Sequence, residues 1–170
     1  MDELYRLSVD EFAQAEKIPV CIVLDNVRSL HNVGSAFRTS DAFRIEKIVL
    51  TGITGQPPHR EIQKTALGAT ESVAWEYKEH AGETVKKIKD QGYQIIVVEQ
   101  TTGSISLQDF MPAAGSKYCL VFGNEVNGVS DDVIALANVA LEIPQSGTKH
   151  SLNISVCVGI VVWEMFRKLR

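Results

Sequence analysis

Apolar residues along this chain alternate between two rhythms. Continuous runs rich in Val, Ile and Leu occur at "VCIVL" (20–24), "KIVLT" (47–51), "QIIVV" (94–98), "YCLVF" (118–122) and "VALEI" (139–143), with a weaker sixth at "SVAWEY" (72–77). Between them, helical spacing predicts helices near 32–43, 60–67, 82–91 and 130–137, and a closing helix over 152–169. Strands that are apolar throughout, rather than at every second position, are covered on both faces. Separated by helices, they predict an α/β fold, a mostly parallel sheet of about six strands with helices on both faces. The acidic, amphipathic opening "MDELYRLSVDEFAQAEK" predicts a helical extension over residues 1–18 ahead of one domain over 19–170. Gly and Pro in "TGITGQPPH", "TTGS" and "MPAAGSK" mark loops rather than linkers, and there is no internal repeat. Ligands of such sheets settle outside the carboxyl ends of strands, so the loops after Leu24, Val98, Phe122 and Ile143 matter most.

Composition narrows the picture. A chain of 170 residues, 45% of them hydrophobic, sustains one core and buries roughly 70% of its unfolded surface. Its formal charge of −4 gives no overall basic footprint for non-specific nucleic-acid binding, leaving only a local patch. Cys21, Cys119 and Cys157 all sit in apolar runs, too far apart for a metal clip, and are read as reduced core thiols. Neither a signal peptide nor an uninterrupted membrane-length apolar run is present, so a soluble, cytoplasmic protein is expected.

The closing stretch "IPQSGTKHSLNISVCVGIVVWE" (143–164) holds a contradiction. From Leu152 to Trp163 it is mostly apolar, on every side, which predicts a buried helix, yet its first turn carries Ser151 and Asn153, side chains that burial makes expensive. Ser151 fits an N-cap, and Asn153 then falls among backbone N–H groups that are still unpaired. Together they offer donors and acceptors at the positive end of a helix. A structural cap accounts for Ser151; Asn153 is harder to dismiss.

Two other loops carry candidate chemistry. "GNEVNGVS", after Phe122, has the spacing of a Walker phosphate loop but Val129 where the lysine is required, and Glu125 would repel phosphate. What remains is Gly123, which admits close backbone approach, followed by a carboxylate at the strand mouth; an ordinary glycine turn is the plainer alternative. "DNVRSLHNVGSAFRTSDAF", after Leu24, offers Asn32 as an N-cap, with Gly34 and Arg38 four apart on one helix face. Either the glycine opens space beside the guanidinium, or it permits close helix packing while Arg38 pairs with Asp41. His31 and His150 flank these clusters and carry no assigned role.

Taken together, "HNVGSAFRTSDAF", "LVFGNEVNGVS" and "LEIPQSGTKHSLNISVCVGI" resemble the three ordered motifs of the SpoU (TrmH-like) family of RNA ribose 2′-O-methyltransferases, in the SPOUT class. The likeness covers residues from about 19 to 166. It implies an S-adenosylmethionine-dependent enzyme with a C-terminal deep trefoil knot, acting as a homodimer on RNA without a metal. By motif position it implies site roles for Asn32, Arg38, Glu125, Ser151 and Asn153, and cofactor contacts, largely main-chain, at Gly123, Ile143 and Leu152 with the Thr101 loop beside them. This chain departs from the family pattern at Val126 and Asn127, where relatives continue Gly-x-Gly, and at Gln145, where many have Met. "VVEQTTGSISL" and "IPQSGTKHSLN" look most like the transfer-RNA guanosine methylases, which favours tRNA over rRNA.

The implied chemistry suits the residues. Attack of a ribose hydroxyl on a sulfonium methyl requires near-attack placement and stabilisation of charge growing on the oxygen. A guanidinium is a poor general base, so Arg38 is expected to orient the hydroxyl and stabilise the oxyanion. Asn32 and Ser151 would position Arg38 and the ribose, Glu125 would orient Arg38 or offset the cofactor's charge, and Asn153 would fix the cofactor loop. The alternatives are a SPOUT relative that methylates a base nitrogen, an inactive RNA- or nucleotide-binding module, and a flavodoxin-like signalling domain. The last lacks an acidic phosphoacceptor cluster after its first strand.

Overall fold

A computed structural model describes residues 7–148 and 151–170. The first six residues of the expected N-terminal extension, together with Lys149 and His150, lie outside the described residues. The elements run α1 (Val9–Gln14), β1 (Ile18–Asp25), α2 (Leu30–Ala42), β2 (Ile45–Thr51), α3 (Arg60–Ala66), α4 (Ala69–Ser72), β3 (Trp75–Lys78), α5 (Ala81–Asp90), β4 (Tyr93–Val98), β5 (Ile105–Ser106), β6 (Lys117–Phe122), α6 (Asp131–Ile134), β7 (Val139–Glu142) and α7 (Ile154–Leu169).

Seven strands pair in the order β3-β2-β1-β6-β4-β7-β5, and every pairing is parallel. The continuous apolar runs work as read, because alternate residues feed two separate cores. Val20, Ile22 and Leu24 of β1 join Leu120 and Phe122 of β6 on the face covered by α2, α3 and α7. Cys21 and Val23, with Cys119 and Val121, pack on the opposite face with Val85 and Ile88 of α5 and Val133 of α6. The additional strand, β5, is two residues long and has no apolar run to announce it. It is moored to α7 by Lys168, whose ammonium lies within 3.0 Å of the carbonyls of Leu107, Gln108 and Phe110.

Local chemistry moves several expected boundaries. In α1, Ser8 and Glu11 form a reciprocal capping box that seats buried Phe12 against the domain. The cap of α2 is Ser29, not Asn32: Ser29 Oγ accepts the Asn32 N–H at 3.3 Å, which places Asn32 inside the first turn. The cap of α7 is Asn153, not Ser151, with Asn153 Oδ1 accepting the Ser155 N–H at 2.8 Å. The helix expected over 130–137 is only the single turn α6.

Burial of α7 also differs from expectation. Val158, Val161, Val162 and Met165 are fully buried, but Val156, Ile160 and Trp163 are 48%, 38% and 51% exposed. Spaced four and three apart, they form one stripe on the outer face. The helix is thus buried on one side only within a single chain.

Candidate active site

The chain runs outward from β1 to β2 and β3 on one side, while β6, β4 and β7 fill the other, so the carboxyl ends of β1, β6, β4 and β7 surround a crevice. At its centre is the turn after β6. Asn124 and Gly128 exchange two backbone hydrogen bonds, at 2.8 and 2.9 Å. The Asn124 side chain holds that turn rigid: Oδ1 accepts the N–H groups of Val126 and Asn127 at 2.8 and 3.0 Å, and Nδ2 donates to the Asn26 carbonyl at 2.7 Å. A Cβ on Gly123 would lie 2.2 Å from the Gly128 carbonyl carbon and from Val129 N. Backbone therefore fills the space that a Gly123 side chain would take, and the glycine serves turn closure.

This turn delivers Glu125 to the start of α2. Glu125 Oε2 accepts the Arg28 N–H at 3.1 Å, and Oε1 accepts the Ser29 N–H and the Asn32 side-chain amide, each at 3.2 Å. Partial burial is the largest single influence on this carboxyl and pushes it upward. The N–H groups of Arg28, Glu125 itself and Ser29, with the Asn32 amide, together outweigh that and hold it below its ordinary value. A carboxylate is well placed there, near the positive end of a 13-residue helix.

A cavity of about 520 Å³ opens beside this carboxylate. Its floor is apolar, built from Val98, Phe122, Leu141, Ile143 and Ile154, and Glu99, Glu125 and Glu142 stand along its wall. Gly123, Ser151, Leu152 and Asn153 complete the lining, so six of the nine residues expected at the site meet in one cavity. Asn32 joins through its bond to Glu125. Thr101 does not reach the lining, although its neighbour Gln100 does. The Thr101 carbonyl lies 2.9 Å from Ser104 Oγ, which in turn lies 2.8 Å from Glu142 Oε2.

Arg38 is placed elsewhere. Six residues beyond Asn32 is about 9 Å along a helix and about 120° around it. The guanidinium accordingly opens onto a separate surface depression with Asp41, Arg44 and Glu71, and makes no hydrogen bond or ion pair among the described residues. Neither Asn32 nor Glu125 of its own chain touches it. Asp41 is not its partner either, since that carboxylate accepts the Ser72 hydroxyl. Nor does Gly34 leave room beside it: a Cβ on Gly34 would come 2.3 Å from the Ile62 carbonyl, so the glycine exists for close packing of α2 on α3. His31, left without a role, pairs with Glu61 at 2.7 Å across the same helix pair.

Sequence reasoning missed the residues that brace the site. Asn124 was legible as an amide after a strand-end glycine, a common turn device. Asp25 is fully buried at the end of β1 and accepts both the N–H and the hydroxyl of Ser130, at 2.8 and 2.7 Å, a pairing across 105 positions that no local pattern announces. Glu99 lay within a quoted motif, but no periodicity distinguishes it from a solvated residue.

A sequence profile described as the SpoU rRNA Methylase family matches residues 19–163. The 23S rRNA (guanosine-2′-O-)-methyltransferase RlmB of Vibrio parahaemolyticus is 25% identical, over 98% of this chain and 66% of its own length. The TrmH/SpoU tRNA modifying enzyme of A. aeolicus superposes with a TM-score of 0.83 at 25% identity, over 94% of this chain and 80% of that one. An AdoMet-bound rRNA methyltransferase from Sinorhizobium meliloti also gives 0.83, at 26% identity, over 97% of this chain and 62% of that one. The chain spans between 60% and 66% of the length of such curated relatives. Since the matched span takes in the seven-stranded parallel sheet, the cavity at its strand ends and most of α7, the chain belongs to the SpoU rRNA Methylase family.

Proposed function

We propose that this protein is an RNA ribose 2′-O-methyltransferase that uses S-adenosylmethionine, needs no metal and works as a homodimer, with tRNA favoured over rRNA. The observation that carries the reading is the convergence of Glu125, Asn32, Ser151 and Asn153 at one cavity beside the strand ends. The lining suits the cofactor. An apolar floor accepts a purine, and three carboxylates stand over it with no Lys, Arg or His among the described lining residues. Such a wall suits a ligand bearing sulfonium and ammonium charge. The preference for tRNA rests on the likeness of "VVEQTTGSISL" and "IPQSGTKHSLN" to the tRNA guanosine methylases.

S-Adenosylmethionine supplies an electrophilic methyl group. Glu125 locks the turn after β6 to the start of α2 and so fixes Asn32, whose amide has a carbonyl oxygen left to receive the ribose hydroxyl. Asn153 sets the entry into α7 and thereby the course of Ser151 and Leu152 along the cavity wall. Arg38 stabilises charge on the attacking oxygen while the proton leaves to an RNA phosphate or solvent. Because Arg38 faces away from its own chain's cavity, we assign it to the site of a second copy.

The test is single-turnover methyl transfer to tRNA and rRNA transcripts, followed by nucleoside mass spectrometry. The expected product is a 2′-O-methylated nucleoside, formed faster on tRNA. A base-methylated nucleoside, or no transfer by folded protein that binds cofactor, overturns the assignment.

A further inference from the structure

Glu99 and Glu142 are the wall carboxylates to which neither the motifs nor the mechanism gives a task, and of the two Glu142 already accepts the Ser104 hydroxyl at 2.8 Å. Glu99 follows β4 directly and is anchored by its own N–H to the Leu141 carbonyl at 3.0 Å. Its side chain is half-buried, and Oε2 accepts the Val129 N–H at 3.2 Å. Beside it Gly128 has φ +71°, and a Cβ there would lie 2.5 Å from Glu99 Oε2. The left-handed glycine thus serves two ends, the turn that carries Glu125 and a bed for the Glu99 carboxylate. Oε1 receives no hydrogen bond among the described residues and belongs to the cavity lining.

The strand order tells which part of the cofactor meets this oxygen. Asn32 and Glu125 stand at the β1 and β6 end of the crevice, where the methyl group must face the ribose of the RNA. Glu99 rises from β4, on the far side of β6, close enough to Cys157 of α7 for its charge to help push that thiol upward, second to burial. A cofactor with its sulfur at the first end lays its nucleoside over Val98, Leu141 and Ile143 at the second. The floor there is apolar and suits the purine. What a purine nucleoside adds is two adjacent ribose hydroxyls, both donors, and an ionised carboxylate is acceptor-only.

Resting on the methyltransferase reading above, we propose that Glu99 accepts the ribose hydroxyls of the cofactor and is the side chain by which this chain selects a ribonucleoside.

Glu99→Gln tests this without removing the brace, because the glutamine carbonyl still receives the Val129 N–H while its NH₂ replaces the accepting oxygen. Calorimetric titration should show the variant binding S-adenosylhomocysteine and 5′-methylthioadenosine roughly 10- to 100-fold more weakly than the unaltered protein, the loss expected for a charged hydrogen bond. Both probes carry a neutral sulfur, and the second lacks the amino-acid end, so equal losses locate the effect at the nucleoside. The unaltered protein should also bind 2′-deoxy-5′-methylthioadenosine more weakly than the ribo form, and Glu99→Gln should bind the two alike. Undiminished affinity in a variant that melts normally, or a deoxy penalty of the same size in both proteins, overturns the assignment of Glu99 alone. A loss confined to S-adenosylmethionine overturns it too, by showing that the carboxylate reads charge. Failure of the unaltered protein to bind S-adenosylmethionine and S-adenosylhomocysteine overturns the cofactor reading and this assignment together.

Discussion

Arg38 and Glu125 show what single side chains decide. Arg38→Ala should lower turnover by roughly a hundredfold to a thousandfold, the loss typical when one oxyanion donor is removed, with little change in cofactor affinity. Arg38→Lys should rescue little, since an ammonium cannot span two acceptors as a planar fork does. Single-turnover methyl transfer beside calorimetry checks both, and unimpaired turnover in Arg38→Ala removes it from the mechanism. Glu125 supports a prediction about pH. Its folded carboxyl is held below the ordinary 4.5, so its contribution to stability is complete above that value and is lost as pH falls through the lowered one. The gap in melting temperature between the native protein and Glu125→Gln should therefore be constant near neutrality and close in acid. Because the side chain is largely exposed, the stability difference behind that gap should not exceed about 1 kcal/mol. Glu125, Ser151 and Asn153, which line the cavity, were legible as candidates because polar groups at strand mouths and helix starts are conspicuous against apolar runs. The direction in which Arg38 faces was not legible, because helical spacing reveals which residues share a face, while the direction of that face depends on a neighbour distant in sequence.

Among the elements, the strands were legible and their ends were not. A doubly covered strand must be apolar along its whole length, which fixed β1, β2, β4, β6 and β7 to within about two residues of where they lie. Caps were harder because each helix start offers two candidates. Ser29 and Asn32 both precede or open α2, as Ser151 and Asn153 precede α7, and only the fold decides which oxygen meets a free N–H. The contact of α2 with α3 gives this scale its prediction. A methyl group on Gly34 would lie 2.1 Å from Thr65 Oγ1 and 2.3 Å from the Ile62 carbonyl. The hydroxyl can rotate away, but the carbonyl belongs to the α3 backbone and cannot. Gly34→Ala should cost about 1 to 3 kcal/mol, the range for overpacking a close contact. For a chain of this size that lowers the melting temperature by about 2 to 4 °C per kcal/mol. A thermal melt equal to or above that of the native protein contradicts this packing role.

At the scale of the whole molecule, what matters belongs to no local run. A knot is a property of the complete path, so no strand pattern could announce one, and only the motif resemblance implied it. Periodicity read α7 as buried all round, and a helix apolar on every side exceeds what one sheet face covers, yet which of its residues would be left over was not legible. Val156, Ile160 and Trp163 form its outer stripe, with Leu152 at the head of the helix 38% exposed beside the cavity. A contiguous apolar stripe of this kind marks an interaction surface, and on the proposed function its occupant would be a second copy, which would also supply an arginine from outside the chain. Ile160→Lys buries an ammonium in such a contact, where an unpaired charge is costly, yet Ile160 lines neither surface depression and its substitution removes no core packing. Sedimentation should show a dimer for the native protein and a folded monomer for this variant, which still binds cofactor but transfers methyl groups at least roughly a hundredfold more slowly. Mixing then separates a shared site from mere dimer stability. Arg38→Ala and Glu125→Ala should each be nearly inactive alone, whereas subunits exchanged between them form heterodimers in half of which positions one site is intact, restoring about a quarter of native activity. No recovery on mixing, with exchange confirmed, places Arg38 and Glu125 in the same chain's site and refutes the assignment across the dimer.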